Sequence, residues 1–134
     1  MKTLLAIISS LLLISIAPLA AQDQAPAGTP PKYNVATEGT FQGTVERVVD
    51  RVCPVSGGLG SHILLELAGG KTIEVHLAPT QFMTAYKLVF HQGDVIEVTG
   101  SKLNFEGVET IFAREIKRGT DTFVFRDRAG NPAW

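Results

Sequence analysis

Three side chains in this sequence have the chemistry to act together: Cys53, His62 and His76. One thiolate and two imidazoles suffice to hold copper or zinc with a coordination position left open. The three do not form a compact ligand motif. They can meet only if the chain between them folds back on itself. The ordinary reading of the same residues is the preferred one: two histidines at a surface or half-buried, and a cysteine acting as a small buried hydrophobe.

The fold-back is legible. Ile63, Leu65 and Leu67 alternate with His62, Leu64 and Glu66, and after Gly69-Gly70 the residues Ile73, Val75 and Leu77 alternate with Thr72, Glu74 and His76. Period-two patterning on both sides of a glycine pair predicts two half-buried strands joined by a tight turn. A two-residue loop would set Leu67 against Thr72 and Leu65 against Glu74, apolar against polar. A three-residue loop, Ala68-Gly69-Gly70, pairs Leu65 with Ile73 and Ile63 with Val75, and gives Gly70 the left-handed conformation such a turn requires. In that register Glu66 faces Thr72 and His62 lies opposite His76. Alternation puts both histidines on the outer face, away from Ile63 and Val75, where a ligand can reach them.

The elements around the hairpin follow from the same cues. Met1 to Ala21 reads as a secretory leader: Lys2, an apolar run from Leu4 to Ile16, then small residues suited to cleavage at Ala20 or Ala21. The run is shorter than the ~20 residues a membrane span needs. No span is expected once the leader is removed, and the expected location is the periplasm or outside. Residues 22–38, with Pro26, Pro30 and Pro31, read as a flexible tether. Residues 39–134 form one domain by size. The chain carries 12 basic and 13 acidic residues; loss of Lys2 leaves 11 against 13, a net charge of −2 with histidine neutral. A lone cysteine makes no internal disulfide, and an unpaired thiol in an oxidising compartment needs burial, an intermolecular partner or a metal.

Gly39 to Val52 is predicted as the first strand, with a bulge or bend after Val45, where the alternation slips, and Gly43 as a barrel corner. Cys53 to Gly60 reads as a loop. Pro79 to about Phe90 is the one predicted helix, with Pro79 at its first position, Phe82, Ala85, Tyr86 and Val89 on its apolar face, and His91 beside its C-terminal dipole. Gly93 to Gly100, Val108 to Ile116 and Thr122 to Arg126 follow as strands. The order is mainly β: three strands, a helix, two strands and a short extra C-terminal strand. That is the order of the OB-fold, a five-stranded barrel with one helix between strands 3 and 4.

The stretches Ser61-His62-Ile63-Leu64-Leu65, Val75-His76-Leu77-Ala78-Pro79, Gly93 to Ser101 and Phe125 to Trp134 carry a resemblance over nearly the whole domain. The chain resembles small secreted bacterial OB-fold proteins of uncharacterised function, which implies the fold and no settled activity. Ala78 stands where a glycine is expected in the helix-entry motif.

OB-folds most often bind single-stranded nucleic acid or oligosaccharide. A slightly acidic, exported domain is a poor partner for phosphate backbones; Lys102, Arg114, Lys117, Arg118, Arg126 and Arg128 read as solvated strand ends. Catalysis is not expected. Ser61 and His62 are adjacent, the wrong geometry for a nucleophile and its base; Gly57-Gly58-Leu59-Gly60 lacks the lysine of a phosphate loop. Asp50, Glu66, Glu74, Asp94 and Glu97 read as solvated surface. The expectation is a non-enzymatic binding or accessory module with an unidentified ligand, docking on an envelope protein. The alternative is a metal-binding protein using Cys53, His62 and His76. Pro132 and Trp134 read either as a docking element or, preferably, as packing against Phe123 or Phe125.

Overall fold

The computed structural model describes residues 30–134. The leader and the first part of the tether lie outside the described residues. Six strands and one short helix follow in order: β1 (Glu38–Cys53), β2 (Gly58–Leu67), β3 (Thr72–Pro79), α1 (Thr80–Ala85), β4 (Val95–Phe105), β5 (Val108–Arg118) and β6 (Asp121–Val124). β1 pairs with both β2 and β4, β2 with β3, and β4 with β5, all antiparallel. A parallel pairing of β3 with β5 closes the ring. The result is the expected OB-like five-stranded barrel with its helix between β3 and β4, and β6 added along Glu115 to Arg118 of β5, beyond the stretch paired with β3.

β1 serves two neighbours because it bends. Its first half pairs with β4 and its second half with β2, and the register shifts between Val45 and Arg47, at the predicted slip. Gly43 lies where both pairings overlap. A side chain there would run into the Glu66 carbonyl and the Leu65 side chain, so only glycine lets the strands turn this corner. β4 makes the matching corner at Gly100, where its register against β5 shifts and a Cβ would strike the Phe112 carbonyl. Past this bulge β4 continues to Phe105, beyond the predicted end at Gly100, because Ser101 to Phe105 still pair with Phe112 to Val108.

The β2–β3 hairpin has the three-residue loop. Leu65 pairs with Ile73, Ile63 with Val75, Glu66 with Thr72 and His62 with His76. The Leu67 amide donates to the Lys71 carbonyl at 2.8 Å, and Gly70 is left-handed at φ 84°. Ile63, Leu65, Ile73 and Val75 point into the barrel with Val45, Val98, Ile111 and Ile116, and all are buried.

The helix differs from its prediction. It spans only Thr80–Ala85, with Pro79 as its N-cap and Tyr86 as its C-cap, and Lys87 just beyond it has φ 53°. Met83 and Phe90 are buried and Phe82 and Leu88 partly so, while Tyr86 and Val89 of the predicted face are exposed. One and a half turns cannot carry a four-residue stripe, and the irregular chain after Tyr86 turns Leu88 and Phe90 inward instead. His91 accordingly sits in a turn, its amide donating to Asp94, and not at a helix end. The first loop is shorter than predicted: β1 runs through Cys53, and β2 resumes at Gly58. The described end of the tether is also structured. Asn34 caps a 3-10 turn at Val35–Thr37, and Thr37 Oγ1 bonds Ser101 Oγ at 2.8 Å, fastening this segment to β4. Among the described residues no helix is long and apolar enough to cross a membrane.

Candidate metal centre

The hairpin register puts the His62 and His76 rings side by side, with centroids 4.0 Å apart and planes tilted by 54°. Cys53 reaches them because β1 pairs with β2 down to Cys53–Gly58, which carries the end of β1 alongside the histidine strand. One ligand atom from each of the three residues lies within 4.8 Å of the other two. Cys53 Sγ stands 3.4 Å from His76 Nδ1. The residues singled out by type are therefore brought together.

Their exposure differs from expectation. Both histidines lie on the outer side of the β2–β3 hairpin, yet His62 is only 1 % exposed, His76 6 % and Cys53 2 %. The pairing of β3 with β5 sets Phe112 opposite His76, with ring centroids 5.0 Å apart, and the β4–β5 hairpin lays Phe105 edge-on to His76 at 5.3 Å. A second small buried cluster thus forms outside the barrel core. Alternation reports which side of a sheet a residue occupies, not whether another element covers that side. A cavity of about 70 Å³ remains among Arg51, Cys53, Pro54, His62, His76 and Phe105.

Glu74 organises the two rings. Its Oε1 lies 2.6 Å from His62 Nδ1 and 3.5 Å from His76 Nε2, and Arg51 pairs with the same oxygen. A carboxylate on one imidazole nitrogen selects the tautomer and leaves the other nitrogen as a lone-pair donor. His62 Nε2 is left buried with no partner, and His76 Nε2 meets no hydrogen-bond geometry either. Burial pushes the His76 imidazole down to about 3, helped by its neighbours His62, Arg51 and Arg126, so the ring is neutral at physiological pH. Burial also opposes ionisation of the Cys53 thiol, but the neighbouring His62 imidazole and the Ser56 and Val55 amides outweigh it and lower the thiol below its ordinary value. A neutral imidazole and an easily ionised thiol are the protonation states a metal requires.

Sequence reasoning assigned Glu74 to solvated surface and did not single out Arg51. A signal for Glu74 was present: it shares a strand face with His76 two residues on, and so lies diagonal to His62. Three of the basic residues read as solvated strand ends are instead paired or covered. Arg114 makes a double hydrogen bond to Glu38, Arg118 pairs with Asp94 at 2.9 Å, and Arg126 is buried. Asp94 is thereby an ion-pair partner and not free surface. Trp134 packs on the fold as preferred, but its ring partners are Phe82, at 5.8 Å, and the Arg126 guanidinium, at 4.8 Å.

Residues 37–123, more than half of the chain, match the model of the MamS/MamX magnetosome protein family. No curated protein matches the chain.

Proposed function

The chain belongs to the MamS/MamX magnetosome protein family, and we propose that its barrel is a non-enzymatic module that binds one copper or zinc ion through Cys53, His62 and His76. One observation carries the reading: three soft or borderline donor atoms converge within 4.8 Å in a buried pocket where His62 Nε2 lacks a partner. An unpaired buried polar atom costs about 1–3 kcal/mol, which a coordinated ion would remove. In this reading His62 coordinates through Nε2, because Glu74 holds Nδ1, and His76 through Nδ1, which faces the thiol. One thiolate and two imidazoles suit copper, which accepts three strong ligands. Zinc takes the same donors and adds a fourth, such as water. The leader read in residues 1–21 carries the domain to the periplasm or beyond, where the tethered barrel docks on an envelope partner.

The test is metal analysis of protein purified without chelator, then titration with copper and zinc of wild type, Cys53→Ser and His76→Ala, each checked for folding by circular dichroism. One equivalent of metal, lost in folded variants, is the expected result. Metal uptake that is absent, or indifferent to both substitutions, overturns the proposal.

A further inference from the structure

Arg126 is a second unexplained group, and Phe112, which packs on His76, also lines the cavity beside it. Arg126 follows β6, is bridged to Pro132, and is only 7 % exposed. Its guanidinium carbon lies over two rings, 4.8 Å from the centre of Trp134 and 5.5 Å from that of Tyr33. Of its five donor hydrogens, one interaction is satisfied, from Nη1 to the Gly130 carbonyl at 3.1 Å, and Nε has no partner. Among the described residues no carboxylate lies within ion-pair distance of it. The neighbouring acids are committed elsewhere: Glu38 to Arg114 and Tyr33, and Asp127 to the Ala129 and Asn131 amides of its own turn. Buried charges are ordinarily paired, because the penalty for leaving water is otherwise uncompensated.

A cavity of about 450 Å³ opens at this point. Arg126, Lys32, Tyr33, Asn131 and Phe112 line it, and no acidic residue does. Two cations, aromatic walls and an absent counter-charge describe the requirements of one ligand class. We propose that this cavity between the Tyr33 segment and the Asp127–Pro132 turn binds a small oxyanion, a carboxylate or phosphate, on Arg126 and Lys32. A guanidinium presents its donors in the plane that carboxylate and phosphate oxygens occupy. The volume admits a phosphate or a small di- or tricarboxylate. This site stands apart from the metal reading and does not depend on it.

Trp134 is the only tryptophan and lies against Arg126, so its fluorescence reports the site. The purified protein is titrated with inorganic phosphate and with succinate, against chloride at matched ionic strength, in wild type, Lys32→Glu and Arg126→Lys. Expected is a saturable shift with phosphate or succinate and none with chloride, weakened at least tenfold in Lys32→Glu and lost in Arg126→Lys. The tighter of the two probes identifies the source of the oxyanion. Lys32 is exposed, so its variant keeps the fold even if Arg126→Lys does not. Signals that fail to saturate for both probes, or binding unchanged in folded Lys32→Glu, overturn the proposal. Retention of the shift in Cys53→Ser separates this site from the metal centre.

Discussion

His62 and His76 face each other across the β2–β3 hairpin with ring centroids 4.0 Å apart, and no hydrogen bond joins the two rings. Each instead turns one nitrogen toward Glu74 Oε1, at 2.6 and 3.5 Å. The carboxylate is the hinge of the arrangement: it orients both rings and leaves the remaining nitrogens on the Cys53 side.

Glu74→Gln tests that role. The amide keeps the size of the side chain but not its charge, and changing the group that holds a ligating imidazole weakens metal binding about 10–100-fold. The expected outcome is copper or zinc affinity reduced within that range, measured by competition with a chromophoric chelator, in a protein whose circular dichroism is unchanged. Full affinity would show that Glu74 serves only Arg51.

Gly100→Ala tests the β4 corner. A Cβ there meets the Phe112 carbonyl and the Ile111 side chain, both in the packed interior. Neither can retreat, so a loss on the order of 2 kcal/mol is expected in denaturant unfolding. Gly69→Ala, at a turn with open space around it but with φ 91°, is expected to lose less, about 1 kcal/mol.

The Glu38–Arg114 pair gives the barrel an acid-sensitive clasp. Hydrogen bonds from Arg114 and then Tyr33 hold the Glu38 carboxyl below its ordinary value, and Arg114 is raised in turn. A carboxyl whose folded pKa is depressed stabilises the fold above its unfolded pKa and loses that contribution as pH falls through the folded value. The melting-temperature gap between wild type and Glu38→Gln is therefore expected to be constant from pH 7 to about 5 and to narrow progressively below about pH 4. A gap that does not narrow at all below pH 4 would mean that the carboxylate charge is not its source.

Trp134→Ala distinguishes packing from docking at the C-terminus. Trp134 is partly buried against the core, with ring contacts to Phe82 and Arg126. The expected loss is about 1–3 kcal/mol by thermal or denaturant unfolding. Unchanged stability would leave the ring free to serve a partner.

The sequence by itself determined the local geometry. The slip after Val45, the Ala68-Gly69-Gly70 loop and the pairing of His62 with His76 follow from alternation and turn chemistry, which act between residues close along the chain. The barrel order followed from the succession of elements. What only tertiary structure decided is the environment of those residues. The pairing of β3 with β5 joins segments far apart in the chain, and it is this pairing that lays Phe112 over His76 and, with Phe105, buries a face that alternation marks as outer. Burial of Arg126 between Tyr33 and Trp134 likewise needs both ends of the domain to meet. The helix shows the same limit from the other side: Phe82, Tyr86 and Val89 have helical spacing, but Leu88 and Phe90 find more apolar surface once the chain leaves the helix after Ala85. Periodicity is a property of neighbours in sequence. Burial is a property of what else arrives, and it is burial that turns two facing histidines and a cysteine into a candidate metal centre.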